Sequence, residues 1–361
     1  MKQYQDLVRH VLETGTRKEN RTGVDTLSTF GYYFEHDLRE GFPLLTTKSV
    51  SWKNIVVEML WFLSGQTDIS ILKRHGCKFW DAWADENGKV PSAYGNFWRK
   101  FPVHGTLMDD NTNEYGDVLG PPIPNPTIEF NDQIAWVLAE LRRNPMSRRM
   151  VVSAWAPGNA QGSKLPPCHC LFMFNVQNRQ KFTVNVIDAE DTSKVLQSYT
   201  VRDIEEARSF ANHDGLKNAL IHITGESEET FQQLCLHLTQ RSCDVALGVP
   251  YNIASYALLL SLFGHFAGID PGVFGHSLVD AHIYTAKPDG SKAEFDHIPG
   301  LKEQIAREPK RLPRLRISDE IKSLGDIERL MGPEVTTDEV MRHFVLEGYE
   351  PHSAINFKVA V

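Results

Sequence analysis

The run from Leu238 to Tyr256 constrains the fold of this chain more than any other feature. It embeds polar side chains in an otherwise apolar stretch, namely Arg241, Ser242, Asp244 and Asn252. A buried polar group costs free energy unless it finds a hydrogen-bond partner, so a chain with this run must fold around a polar pocket. A second segment, Leu165-Pro-Pro-Cys-His169, places a thiol after two prolines, which restrict the backbone.

Composition places the chain among ordinary globular proteins. Its 361 residues are 41% hydrophobic and 23% charged, enough for a sizeable core. The formal charge of −8 argues against a general binder of nucleic acid or anionic membranes. We find no apolar run of the ~18 residues that a membrane span needs. The odd number of cysteines, 5, and a polar N-terminus favour reduced thiols and a cytoplasmic location.

Hydrophobic periodicity predicts both helices and strands. The predicted helices cover residues 2–14, 52–63, 131–143 and 251–266. The predicted strands cover residues 26–34, 150–155 and 170–176. Residues 102–127 lack periodicity and are rich in Gly, Asn, Asp and Pro, which is typical of a long surface excursion.

Residues 178–230 differ in character from the rest of the chain. They contain six Lys or Arg against ten Asp or Glu, with strand, strand, helix and strand signals at 182–187, 195–201, 203–210 and 219–223. We interpret this segment as an inserted subdomain that lies on the surface, away from the pocket. The sequence does not predict its role.

Cys168 is the candidate nucleophile. The two prolines fix the position of the thiol before a ligand arrives, and a nearby guanidinium would favour the reactive thiolate. Buried cysteines are more often structural, and we apply that interpretation to Cys77, Cys170 and Cys235.

Four arginines next to Gly, Ser or turn residues are candidate phosphate ligands, because guanidinium binds phosphate in a bidentate manner. They are Arg21, Arg148, Arg149 and Arg241. Solvated surface arginine is the alternative for each of them. In a regular strand the adjacent Arg148 and Arg149 would point to opposite faces. Both could serve one phosphate only from a loop, or one could reach a neighbouring subunit.

Two further side chains suit a pyrimidine substrate. The amide of Asn252 can accept from a ring N–H and donate to a ring carbonyl, which matches uracil, although a helix N-cap is its structural alternative. Glu58 lies in the middle of an apolar helical segment. It is either half of a buried ion pair or a general acid/base with a raised pKa.

Aromatic and histidine side chains complete the candidate site. His282 and Tyr284 alternate as on a strand, so both could hold a ribose hydroxyl from one face. Trp80 and Trp83 could stack on a flat cofactor. For each pair, packing in the core is the alternative. We find no metal-ligand spacing and expect no metal.

Several motifs, in the same order, resemble the folate-dependent thymidylate synthase family across most of the chain. They include Gly41-Phe-Pro-Leu-Leu-Thr-Thr-Lys48, Trp80-Asp-Ala-Trp-Ala-Asp-Glu-Asn87, Pro167-Cys-His169, Gln240-Arg-Ser-Cys-Asp244, Asn252-Ile-Ala-Ser-Tyr256 and Glu347-Gly-Tyr-Glu-Pro-His352. The resemblance implies an α+β fold, with a large mixed sheet packed by helices as a single catalytic domain. It also implies a homodimer that converts dUMP to dTMP with 5,10-methylenetetrahydrofolate.

The resemblance also assigns roles to individual residues. It implies that Cys168 attacks C6 of the pyrimidine while Glu58 and Tyr94 handle protons. Substrate ligands would be Arg21, Gln240, Arg241, Ser242, Asp244, Asn252, His282 and Tyr284, with Arg148 and Arg149 supplied by the other subunit. Folate-site residues would be Lys48, Phe79, Trp80, Trp83, Asp244 and the terminal Val361.

The chain departs from the family pattern at three places. Residues 178–230 have no counterpart in a compact member. The family's Tyr-x-Asn-His reads Tyr284-Thr-Ala-Lys287 here, and Phe79 replaces a small aliphatic residue, which could narrow the folate pocket.

Two other functions compete with this interpretation. In a deoxyuridylate hydroxymethylase, water rather than hydride would capture the methylene group. A non-catalytic nucleotide-binding protein would use the insertion as its interaction surface. Trp80 and a closing C-terminus favour the synthase because both exclude water.

Overall fold

A computed structural model describes residues 1–20, 22–102, 130–157, 165–216 and 219–359. All but the first residue of the predicted excursion at 102–127 lies outside the described residues. Within them the chain combines one large sheet with helices, so the predicted α+β class with a mixed sheet is confirmed.

The large sheet is built from eight strands. Along the chain these are β1 (Thr16–Lys18), β2 (Asp25–Asp37), β5 (Val151–Ser153), β6 (His169–Ile187), β7 (Val195–Val201), β8 (Leu220–Gln240), β9 (Cys243–Asp244) and β10 (Asp270–Thr285). The order across the sheet is β1-β2-β10-β8-β6-β5, with β7 beside β6 and β9 beside β10. Strand β10 runs parallel to β8 and β9, whereas the other pairs are antiparallel.

Short strands form two small ribbons away from this sheet. One pairs β3 (Phe101–Pro102) with β4 (Phe130–Asn131), and the other pairs β11 (Arg314–Ile317) with β12 (Phe344–Glu347). Two 3-10 helices, Leu38–Glu40 and Ala293–Phe295, lie in connections.

Most helices pack around the main core of the sheet, whereas the helix at Ile204–His213 packs on β7 and β8 in residues 178–230. Their bounds are α1 (Lys2–Thr14), α2 (Trp52–Leu63), α3 (Ser70–Arg74), α4 (Tyr94–Arg99), α5 (Gln133–Arg143), α6 (Ile204–His213), α7 (Gly248–Ala267), α8 (Ile298–Ala306), α9 (Leu324–Leu330) and α10 (Thr337–Met341). Helix α2 begins after Ser51, whose side chain accepts from the amide of Asn54. Helix α7 ends at Gly268, which takes the left-handed conformation at φ 68°.

Two apolar helices form the centre of the molecule. Most of α2 and α7 is buried, as their nearly continuous hydrophobicity predicted. The helices contact each other, and α7 also packs on β8 and β10. This burial fixes the first turns of α7 against the end of the sheet, where the chain places its polar side chains.

Residues 178–230, which we call the arm, do not form a sheet of their own. Strands β6 and β8 pass into the arm without a break, and β7 and α6 are added beside them. The four elements thus lie where the sequence predicted them, but they continue the main sheet because backbone pairing does not end at residue 178. The arm has a small core of its own, made of Val184, Val201 and Ala207.

Candidate active site

A cavity of about 520 Å³ opens where β6 begins and β8 ends, next to α2 and the start of α7. This volume lies in the usual range for small-molecule sites. The cavity brings together most of the predicted site residues: Glu58, Phe79, Trp80, Trp83, Tyr94, Cys168, Gln240, Arg241, Ser242, Asp244, Asn252, His282 and Tyr284. None of the arm residues that the structure describes lines it.

The backbone of Cys168 is held from two sides. Its amide donates to the hydroxyl of Tyr94 at 3.0 Å, and its carbonyl accepts from the amide of Arg241 at 2.9 Å. The side chain is partly exposed to the cavity. Burial raises the pKa of Tyr94 well above its ordinary value, so its hydroxyl stays protonated and can serve as a fixed anchor.

Arg241 also stiffens the segment that carries the thiol. Its Nε donates to the carbonyl of Pro167 at 2.9 Å and one Nη donates to that of Pro166 at 2.7 Å. The guanidinium also lies 5.5 Å from the ring centre of Trp155. Because guanidinium carries five N–H donors, this anchoring leaves donors of Arg241 for an anionic ligand beside Cys168.

A relay of side-chain hydrogen bonds orients Asn252. The Nε2 of Gln240 donates to the Oδ1 of Asn252 at 3.0 Å, while the Oε1 of Gln240 accepts from the Nε2 of His276 at 3.0 Å. Burial keeps the pKa of His276 well below its ordinary value, so that ring is neutral. The relay fixes Asn252 with its carbonyl oxygen toward Gln240. The helix begins at Gly248, so the alternative of Asn252 as an N-cap is wrong.

His169 also forms a hydrogen bond with the side chain of Asn252. Burial lowers the pKa of His169 to about 3, against a hydrogen bond with Asn252 that acts in the opposite direction. Its ring stacks on Tyr94 at a centroid distance of 4.5 Å. A neutral histidine and a glutamine therefore hold Asn252 without placing a charge next to it.

Glu58 is an acid of the cavity whose pKa is raised. Burial raises its pKa to about 7, although a hydrogen bond from the Nε1 of Trp80 opposes the shift. That bond is 2.7 Å long. The partner of Glu58 is therefore an indole N–H, whereas the alternative from sequence was an ion pair. A carboxyl that titrates near neutral pH is suited to general acid/base chemistry.

His282 and Tyr284 line the cavity together, as their alternation predicted, with ring centres 5.4 Å apart. The Nδ1 of His282 lies 3.5 Å from the Oδ1 of Asp280. Burial acts most strongly and lowers the pKa of His282, but the hydrogen bonds to Asp280 and the negative charges of Asp244 and Asp280 together outweigh it, and the net shift is upward. Asp280 also accepts from Lys18 and Ser28.

Three aromatic residues form one wall. Trp80 is buried against Trp61 and Phe62, and the more exposed Phe79 meets the ring of Tyr251 edge-on at 5.0 Å. Trp83 is partly buried and also lines the cavity. This wall presents flat apolar surface beside the polar groups of α7.

Asp244 links the cavity to the turn that precedes α7. Its Oδ1 accepts from the amides of Ala246 and Leu247 at 3.0 and 3.1 Å. Its side chain therefore has a fixed position at the cavity wall, together with Ser242 from the same loop.

Three predicted site residues lie away from this cavity. Lys48 is buried, donates to the carbonyl of Ala246 at 2.7 Å, and has its pKa lowered to about 8 by desolvation. Arg148 and Arg149 are exposed in a loop before β5. Arg148 lines a second cavity, of about 310 Å³, together with Tyr33, Met173 and His237.

Arg21 and Val361 lie outside the described residues, so their predicted roles stay predictions. Sequence reasoning missed His169, Asp280 and Lys18, which line the cavity. A usable signal existed for two of them. His169 follows the thiol directly, and Asp280 precedes His282 by two residues, which places both on one face of a strand.

Two features are absent from the part of the chain that the structure describes. No group of three or more His, Cys, Asp or Glu there has an arrangement that could hold a metal ion. Nor is any helix among the described residues both long and apolar enough for a membrane span.

The family model described as thymidylate synthase matches residues 2–361. The match thus includes the cavity residues, the arm and the C-terminal segment.

Proposed function

Because this chain belongs to the thymidylate synthase family, we propose that it converts dUMP to dTMP with 5,10-methylenetetrahydrofolate as donor of both the carbon and the hydride. Family membership supports folate-dependent methylation of dUMP in general. The observation that carries the specific proposal is the presence of Cys168, Asn252 and Glu58 in one cavity.

In the first step, the thiolate of Cys168 forms a bond to C6 of the uracil ring. The C5–C6 double bond supplies electrons to the C4 carbonyl, so an enolate forms with negative charge on O4. The side-chain N–H groups of Asn252 can donate to that oxygen, and its Oδ1 can accept from N3–H. The bonds from Gln240 and His169 support this orientation, since they fix the amide before substrate arrives.

Glu58 manages the proton balance around the ring. With a pKa raised to about 7 it holds a proton near neutral pH and can give it toward O4 as charge develops there. The same carboxyl, once ionised, can take a proton back later in the reaction. Trp80 keeps Glu58 in place through its indole N–H.

The remaining polar residues suit the sugar and the phosphate. Arg241 and Ser242 would bind the phosphate beside Cys168, and His282 with Tyr284 would contact the ribose. These roles are proposals that rest on the common lining of the cavity.

The aromatic wall fits a folate. The wall offers the flat surfaces of Phe79, Trp80 and Trp83 next to the amide of Asn252. A pterin ring is flat and is polar at its edge. When bound, the folate supplies the one-carbon unit and the hydride. The wall would hold the pterin ring next to C5 of the uracil and keep water away from the reacting carbon.

Mass analysis of the product tests the reaction. Incubation of the protein with dUMP and 5,10-methylenetetrahydrofolate should give dTMP and dihydrofolate in a one-to-one ratio. A hydroxymethyl nucleotide with tetrahydrofolate would identify the sister hydroxymethylase instead. Binding of dUMP without any turnover would support the non-catalytic alternative.

We also propose that the protein is a homodimer. The outward face of the sheet exposes Tyr33 (54% accessible) and Met173 (39%), which are large apolar side chains beside the second cavity. Pairing of two copies through this face would bury them and would bring Arg148 and Arg149 toward the partner's nucleotide site. This arrangement would give both arginines access to one phosphate from a loop.

Mixing of two inactive variants tests this arrangement. A Cys168→Ser subunit supplies intact arginines, and an Arg148→Ala/Arg149→Ala subunit supplies an intact thiol. If the arginines act across the interface, one site of each mixed dimer is complete and activity returns. If they act within their own subunit, both sites remain defective and the mixture stays inactive.

A cytoplasmic location completes the proposal. None of the five cysteines, all of which lie in described residues, forms a disulfide. Unbridged thiols are typical of a reducing compartment. Cell fractionation with thiol labelling would test this location.

A further inference from the structure

The last described residues of the chain contact a specific site on the rest of the protein. The Nζ of Lys358 lies 4.5 Å from the ring centre of Phe295 and 3.8 Å from the Oε1 of Glu294. Both partners belong to the connection between β10 and α8, where the chain departs from the family's Tyr-x-Asn-His pattern. We call residues 352–359 the tail and this set of contacts the dock.

Phe357, the tail residue before Lys358, is packed more deeply than Lys358 itself. The Nε2 of His297 donates to the carbonyl of Lys358 at 2.9 Å, and its ring lies 5.0 Å from that of Phe357. A Cβ on Gly300 would come within 2.6 Å of the Phe357 ring, so glycine is required there for the ring to fit. On its other side, the Nζ of Lys48 lies 4.6 Å from the centre of the same ring.

The dock is connected to the cavity through two short paths. The amide of His297 donates to the carbonyl of Tyr284 at 3.0 Å, and Tyr284 lines the cavity. Lys48 donates to the carbonyl of Ala246, whose amide donates to Asp244, another lining residue. The position of the tail is therefore set by the same backbone that forms the cavity wall.

We propose that Glu294 and Phe295 are positioning residues, which hold Lys358 and through it seat the tail beside Lys48 and the part of the cavity wall that Tyr284 and Asp244 form. The proposal rests on the proposed function, because it assigns the tail to the folate side of that site. Lys358 and Glu294 are about half exposed, with 56% and 51% of their side chains accessible. An exposed cation–π contact of this kind predicts a modest effect, about two- to fivefold on an equilibrium.

Two pairs of variants test the dock. Phe295→Ala and Lys358→Ala remove the cation–π contact, whereas Phe295→Tyr and Lys358→Arg retain it. Lys322→Ala, at an exposed lysine in the loop before α9, serves as the matched control. The measurements are the rate at which a carboxypeptidase releases C-terminal residues, and the KM values for 5,10-methylenetetrahydrofolate and dUMP.

We expect both alanine variants to release C-terminal residues about two- to fivefold faster and to raise the folate KM by a similar factor. The KM for dUMP should not change, and the conservative variants should behave as wild type. A release rate equal to that of Lys322→Ala would overturn the dock. Faster release with an unchanged folate KM would overturn its positioning role.

The test of the dock gives its result whether or not the proposed function is correct. Tail release is measured without substrates, so it reports on the dock even if the protein were to make a hydroxymethyl product. Lys358→Ala lies on the tail outside the core, so it provides the result even if Phe295→Ala unfolds the 3-10 turn.

Discussion

Strand β6 begins beside the nucleophile and ends in the arm, and its two ends have contrasting surroundings. At the cavity end, Gln240 and His276 are 2% and 0% exposed and form part of a connected set of hydrogen bonds. At the arm end, three buried residues form the core, and ion pairs are exposed. Arg202 and Asp270, which pair at 2.7 Å where arm and body meet, are 42% and 41% exposed.

The contrast shows which end of this sheet requires one specific arrangement of side chains. A buried polar network is costly when one partner is lost, so it specifies a unique arrangement. Exposed ion pairs contribute little and tolerate substitution. We therefore expect changes at the cavity end to alter chemistry and changes in the arm to leave chemistry almost untouched.

The largest effect should follow Cys168→Ser. Loss of the thiolate nucleophile should lower kcat by a factor on the order of 10³ or more, because a serine hydroxyl is far less nucleophilic at neutral pH. Binding of dUMP, measured by calorimetry, should persist. Cys170→Ser, two residues along and outside the cavity lining, is the matched control and should keep activity within a few-fold. Survival of turnover in Cys168→Ser would remove the basis of the mechanism.

Glu58→Gln should come next, with a loss of about 10²–10⁴ in kcat. The amide can still accept from Trp80, so the fold should persist. The pKa of Glu58 in the folded protein, about 7, lies above that of an ordinary carboxyl. The contribution of Glu58 to the stability of the wild type is therefore lost as pH rises through 7. Relative to wild type, Glu58→Gln should therefore gain stability between pH 5 and pH 8 in urea unfolding. A constant stability difference would mean that Glu58 is not the perturbed acid.

Gln240→Leu should have an intermediate effect. It removes the donor to Asn252 and the acceptor for His276, and a buried unpaired group of this kind costs about 1–3 kcal/mol. Affinity for dUMP should fall roughly tenfold. Gln304→Leu, which removes another buried glutamine that bonds to Thr47, controls for loss of a buried amide outside the cavity lining. Equal losses in nucleotide affinity would argue that the relay has no specific role.

The smallest effect should come from removal of the arm. Replacement of residues 182–228 by a short turn should keep kcat and the dUMP dissociation constant within about threefold, because no arm residue among those described lines the cavity. Gel filtration and circular dichroism would verify a folded protein. Loss of nucleotide binding in a dimer that is still folded would contradict our assignment of the arm as peripheral.

Much of the architecture could be predicted because its signals are local. The period of α2 and the alternation at His282 and Tyr284 are encoded within a few residues. Helix starts were harder, since α7 begins three residues before the predicted start, at Gly248, where Leu247 offers no side-chain cap. The continuity of β6 into the arm was not predictable, because polar strands that pair on a surface lack the apolar signal of a core strand.

The candidate site was predictable in membership but not in its internal connections. Motifs name Gln240 and Asn252, yet only folding brings His276 from β10 to Gln240. The environment of Glu58 likewise depends on Trp80, 22 residues away in sequence. Electrostatic effects of this kind arise from tertiary contacts, which a linear pattern does not contain.

The irregular pairing of β6 with β8 has a consequence for how such a protein can change. The register shifts between Gln180 and Phe182 and again between Thr183 and Val184, and in both places the surplus residues belong to β8. Without these bulges, an odd number of added residues would turn every later side chain of β8 to the opposite face. The bulges absorb such additions before Gln240 is reached. Sequence length can therefore vary at the tip over generations while the nucleophile's neighbours keep their alignment.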